Sequence, residues 1–142
     1  MEGGKIVVDA SVVVKWFVEE RYSGEALTIR NSFIEGLVDI AVPSLLYFEV
    51  LNALKYSGAF GEDELKRIAR ILEDYQFTAY ELKDTYAEKV VEVAMRKGMT
   101  IYDASYVALA LIEEADLYTA DEKLLMKARD LKIVKHLKDF EI

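Results

Sequence analysis

Apolar residues in this chain follow two rhythms: short unbroken runs, and longer stretches in which apolar positions recur every three or four residues. Ile6-Val7-Val8 and Ile40-Ala41-Val42 are of the first kind. They read as strands over Lys5–Val8 and Asp39–Val42, buried on both faces. Phe77–Leu82, Ala115–Thr119 and Lys132–Val134 read as three more. The second rhythm predicts helices between them. Val13, Val14, Phe17 and Val18 mark one over Ala10–Glu19, and a second opens with Ser23 as its cap and stops at Gly36. Pro43 suits the first turn of a third, which runs to Ser57 before Gly58. Leu65, Ile68, Ala69, Ile71 and Leu72 stripe a fourth over Glu62–Tyr75, and Thr85–Lys97 is a fifth, ended by Gly98. Asp103–Glu114 is apolar on nearly all sides and so belongs at the centre; Glu122–Arg129 is the last.

Strands alternating with helices give an α/β fold, a three-layer α/β/α sandwich around a parallel sheet of four or five strands. No linker or repeat divides the chain, so residues 1–142 are expected to form one domain. In such sheets functional groups collect beyond the carboxyl ends of the strands.

Four acids break the apolar pattern. Asp9 ends the first strand, Glu49 sits within Leu45-Leu46-Tyr47-Phe48-Glu49-Val50-Leu51, Asp103 opens the most apolar helix, and Asp121 follows Leu117-Tyr118-Thr119. Asp9, Asp103 and Asp121 each precede a predicted helix and can be explained singly as N-caps. Glu49 resists that explanation; its alternative is an ion pair with a buried Lys or Arg. Should the four converge, like charges would raise one another's pKa values, and a hard divalent cation would relieve them. Ser11 and Thr119 stand two residues from Asp9 and Asp121, placed to hydrogen-bond a carboxylate, and Asn52 lies one turn beyond Glu49.

Composition narrows the chemistry. The chain has no cysteine and only one histidine, His136, so thiolate metal sites, disulfides and a Ser-His-Asp triad are poorly supported. His136 is read as structural. The net charge of −8 argues against non-specific nucleic-acid binding, although a metal would offset part of it and Lys15, Arg21, Lys55, Arg67, Arg70 and Lys97 offer a local basic rim. Trp16, Tyr47, Tyr56, Tyr102 and Tyr106 offer stacking surfaces, or core. The opening Met1-Glu2-Gly3-Gly4 is not a signal sequence and no apolar run reaches membrane length, which predicts a cytoplasmic protein. Abundant Glu, Lys and Arg with a single Gln lean towards a thermophilic source.

The segments Val7-Val8-Asp9-Ala10-Ser11-Val12-Val13-Val14-Lys15-Trp16-Phe17, Pro43 to Leu54, Tyr102 to Ala110 and Tyr118 to Leu124 resemble those of PIN domains, in particular the VapC group of toxin ribonucleases. The resemblance runs from Ile6 to about Phe140. It implies Mg²⁺ or Mn²⁺ held by Asp9, Glu49, Asp103 and Asp121, and RNA hydrolysis leaving a 5′-phosphate and a 3′-hydroxyl. It also implies a homodimer and a small antitoxin whose segment enters the active-site groove. The alternatives are a free-standing RNA-processing nuclease and a non-catalytic PIN-fold module that binds RNA or protein. Haloacid-dehalogenase-like phosphatases are disfavoured, because Ser11 stands where their second Asp belongs. A receiver domain is disfavoured because Asp9 lacks an acidic neighbour.

Overall fold

The computed structural model describes residues 4–141. Five parallel strands, β1 (Gly4–Val8), β2 (Val38–Pro43), β3 (Thr78–Tyr80), β4 (Asp116–Thr119) and β5 (Val134–His136), form one sheet in the order β3-β2-β1-β4-β5. The central strand is β1, and the buried Val7 and Val8 pair with Leu117 and Tyr118 of β4. Parallel neighbours need crossovers, and the predicted helices supply them: α1 (Ala10–Val14), α2 (Ser23–Ile34), α3 (Leu45–Ser57), α4 (Glu62–Asp74), α5 (Asp84–Lys97), α6 (Ile101–Glu113) and α7 (Glu122–Lys127). The strand number and the sandwich architecture agree with the sequence expectation.

α6 packs against β1, β2 and β4 on one side and α5 on the other, which explains why seven consecutive residues, Ala104–Ala110, are buried. On the opposite side Trp16, Phe33, Tyr75 and Phe77 form an aromatic cluster, with Tyr75 and Phe77 stacked at 5.5 Å between ring centroids. The Trp16 indole donates to the Ala26 carbonyl at 2.8 Å, tying α1 to α2.

Several predicted boundaries move. α1 ends at Val14 rather than Glu19, because Trp16 is buried through its bond to α2 instead of by continued helical phase. Ser23 is the first residue of α2 and not its cap; Tyr22 holds that place at φ 69°, while the Ser23 hydroxyl donates to the Val18 carbonyl and accepts from Glu20 N–H. Pro43 closes β2, and β5 lies two residues later than expected. Among the described residues no helix is long and apolar enough to cross a membrane.

Candidate active site

The strand order brings two acids together. β1 and β4 are neighbours, so Asp9, just beyond β1, meets Thr119 at the end of β4, 110 positions away. Asp9 is only 6% exposed, and every donor it needs is close at hand. Ser11 gives its backbone N–H at 3.1 Å and its hydroxyl at 2.5 Å to Oδ1, and the Thr119 hydroxyl gives 2.5 Å to Oδ2. The two hydroxyls also take backbone N–H bonds, Ser11 from Ala120 at 2.9 Å and Thr119 from Asp121 at 3.0 Å. Asp121 then caps α7, its Oδ1 accepting from Lys123 N–H at 2.9 Å and Leu124 N–H at 3.3 Å. Capping and site-building are thus compatible here: each Asp is fixed by its cap bonds while lone pairs remain.

Asp103 departs from its predicted capping role. Thr100 caps α6, accepting from Asp103 N–H at 3.0 Å, and Asp103 lies in the first turn with its carboxylate half-buried. Glu49 is likewise half-buried on α3, and its partner is not a cation. The Tyr106 hydroxyl of α6 donates to its Oε1 at 2.5 Å. Sequence reasoning had Tyr106 as a stacking or core residue, and its contact with Glu49 was not foreseen.

The electrostatics link the four acids in a ring. Burial pushes Asp9 up to about 6, against its hydroxyl donors, and the charges of Asp121 and Glu49 add to the rise. Glu49 is raised by burial and by Asp103, with the Tyr106 bond opposing. Asp103 is raised by burial and by Asp121, with Lys127 opposing. Asp9, Glu49 and Asp103 therefore each feel another acid, although among the described residues no three acidic or histidine side chains close around one point as a finished metal cage would. The donor set is all carboxylate, with no thiol or imidazole, and it carries uncompensated negative charge. That chemistry fits a hard, oxygen-seeking divalent ion.

Other candidates fall elsewhere. Asn52 is exposed and, among the described residues, makes no hydrogen bond to an acid. Lys15 pairs with Glu20 at 2.9 Å, Lys97 pairs with Asp130, and Lys55 and Arg21 lie over the Tyr56 and Tyr22 rings. Lys127, which held no place in the sequence reading, is the base that acts on the site. His136 is buried, its Nδ1 accepting from Lys138 N–H at 2.9 Å, in keeping with a structural role. Of the aromatics, Trp16 and Tyr106 are buried, whereas Tyr56 and Tyr102 are exposed. Beside Glu49, α3 and α4 frame a groove of about 970 Å³ lined by Leu45, Phe48, Leu51, Phe60, Leu65 and Tyr102 among others.

The PIN domain model matches residues 6–130, nearly the whole of this arrangement. The chain belongs to the PIN domain family. Two relatives of this PIN domain come from Pyrobaculum aerophilum. Ribonuclease VapC3 is 33% identical over 129 residues, spanning 87% of this chain and 94% of that protein. Exonuclease VapC9 is 31% identical over 99 residues, spanning 70% and 74%. The crystal structure of PAE2754 from the same organism superposes with a TM-score of 0.62 at 25% identity, over 97% of this chain and 93% of that one. A toxin–antitoxin complex from Klebsiella pneumoniae gives a TM-score of 0.70 at 18% identity over 96% and 99%, a likeness of fold alone.

Proposed function

We propose that this PIN domain is a divalent-metal-dependent endoribonuclease, the toxin of a toxin–antitoxin pair, with Asp9, Glu49, Asp103 and Asp121 as its metal-binding and catalytic acids. The observation that carries the reading is the way the acids are held: Thr119 ties Asp9 and Asp121 together at the ends of two neighbouring strands, and Tyr106, one turn after Asp103 on α6, holds Glu49. A surplus of carboxylate charge serves no packing purpose and suits cation binding.

Each acid is prepared differently. Ser11 and Thr119 keep the Asp9 carboxylate in place and favour its ionised form. The α7 amides hold Asp121 by one oxygen, and Tyr106 holds Glu49 by one oxygen. Mg²⁺ or Mn²⁺, when bound, supplies Lewis acidity at the phosphate and lowers the pKa of the attacking water. Hydrolysis adds water at phosphorus and breaks its bond to O3′, leaving a 5′-phosphate and a 3′-hydroxyl. Exposed Tyr102, next to Asp103, offers a base a stacking surface.

The apolar α3–α4 groove opens beside Glu49 and suits an apolar segment of a small antitoxin, with basic residues reaching the acids. Val91 and Met95, exposed one turn apart on α5, offer a second copy an apolar face. This role places the protein in the cytoplasm.

A circular and a linear RNA incubated with Mg²⁺ test the reading. The parent is expected to cut both, and Asp9→Asn and Asp103→Asn to lose more than about 100-fold in rate. Cutting of the linear RNA alone would favour exonuclease action, the activity in the name of one relative. Undiminished Mg²⁺-dependent cutting by both variants removes the proposed site.

A further inference from the structure

We infer that Tyr106 is a positioning residue for Glu49, an acid whose own helix offers its carboxylate no donor. The inference rests on the metal-nuclease reading above. Asp9 and Asp121 sit at strand–helix junctions, where free backbone N–H groups and nearby hydroxyls fix their carboxylates. Glu49 enjoys no such help. It projects from the middle of α3, where the N–H groups are spent within the helix, and its neighbours Phe48 and Asn52 face solvent. A glutamate there has several rotamers open to it. Among the described residues the Tyr106 hydroxyl is the one hydrogen-bond donor to its carboxylate, at 2.5 Å on Oε1, and Oε2 is left for a ligand.

Tyr106 is suited to this because it is itself fixed. Its ring is 2% exposed in the core. The buried Tyr86 hydroxyl of α5 donates to the carbonyl of the preceding residue, Ser105, at 2.8 Å, so α6 is pinned beside the ring. Asp103 lies one turn before Tyr106 on the same helix. α6 therefore carries one acid directly and steers a second, on α3, through a rigid phenol.

The rival account is that Glu49 merely satisfies a buried phenol. The two accounts differ in what the phenol does to metal binding. Mn²⁺ affinity is measured by calorimetry for the parent, Tyr106→Phe, Glu49→Gln and the double variant, with thermal unfolding of each. Tyr106→Phe keeps the ring and removes the hydroxyl. It is expected to weaken Mn²⁺ binding about 10- to 100-fold in the parent and to have no further effect once Glu49 is Gln. Parent-like affinity in Tyr106→Phe, or an equal loss in both backgrounds, overturns the inference while leaving the nuclease reading intact. A parent that binds no Mn²⁺ overturns both. Should Tyr106→Phe fail to fold, Glu49→Asp takes its place. It keeps the charge but withdraws from the phenol, and parent-like affinity there also overturns the inference.

Discussion

Thr119 donates its hydroxyl to Asp9 while accepting the Asp121 backbone N–H on the same oxygen, so one small side chain sets two acids at once. Valine nearly matches its shape and can do neither. Thr119→Val leaves a buried carboxylate short of a donor and a backbone N–H without its acceptor. The expected loss is about 2–3 kcal/mol at pH 7, read from urea unfolding. A loss below about 0.5 kcal/mol would show that these bonds do not hold the site.

Asp9 gives stability a pH signature. Its folded-state value is raised from 3.8 to about 6, so between those values the folded protein binds the proton and the unfolded chain does not. Stability from this group is fully present below about pH 4 and is lost as pH rises through 6, by roughly 3 kcal/mol in all. Asp9→Asn removes the titration, and its carboxamide can still accept from Ser11. Metal-free Asp9→Asn should therefore gain on the parent between pH 4 and pH 7 in parallel denaturation curves. A constant difference across that range would contradict the raised value.

The sheet was legible because strands buried on both faces leave unbroken apolar runs, as at Ile6-Val7-Val8. Helix ends were less so. Periodicity continues past Val14 because Trp16 is buried by a different contact, and Asp103 resembled a cap only because Thr100 lies before two apolar residues, Ile101 and Tyr102. Asp9, Thr119 and Asp121 could be read as related because they sit at strand ends, where the fold class gathers side chains. The Tyr106–Glu49 bond spans 57 positions between two helices, and no local pattern encodes which faces of α3 and α6 meet.

Trp16 holds the short α1 against α2, and α1 begins one residue after Asp9, so this packing supports the strand end that carries one of the acids. Trp16→Phe removes the indole N–H bond to Ala26 and opens a small void beside Tyr75 and Phe77. The expected cost is about 2–3 kcal/mol. As the chain's single tryptophan, Trp16 cannot report on its own replacement, so circular dichroism is the measurement. A midpoint equal to the parent's would mean α1 is held by its valines alone.

Metal and charge should trade stability in a way that a purely structural cluster would not. Burial and the neighbouring Asp121 raise Asp103, which marks its ionised form as a source of strain in the metal-free protein. Asp103→Asn should therefore be at least as stable as the parent in chelator. With Mn²⁺ at about 100 times its dissociation constant, the parent gains about 2.7 kcal/mol. For a chain of this size that corresponds to a rise of roughly 10 °C in Tm. The variant should gain little, so the order of the two proteins reverses between chelator and metal. Thermal scans of both proteins in both conditions settle the matter. Acids that served only to tie down helix ends would show no metal-dependent rise in the parent, and Asp103→Asn would keep its place relative to the parent throughout.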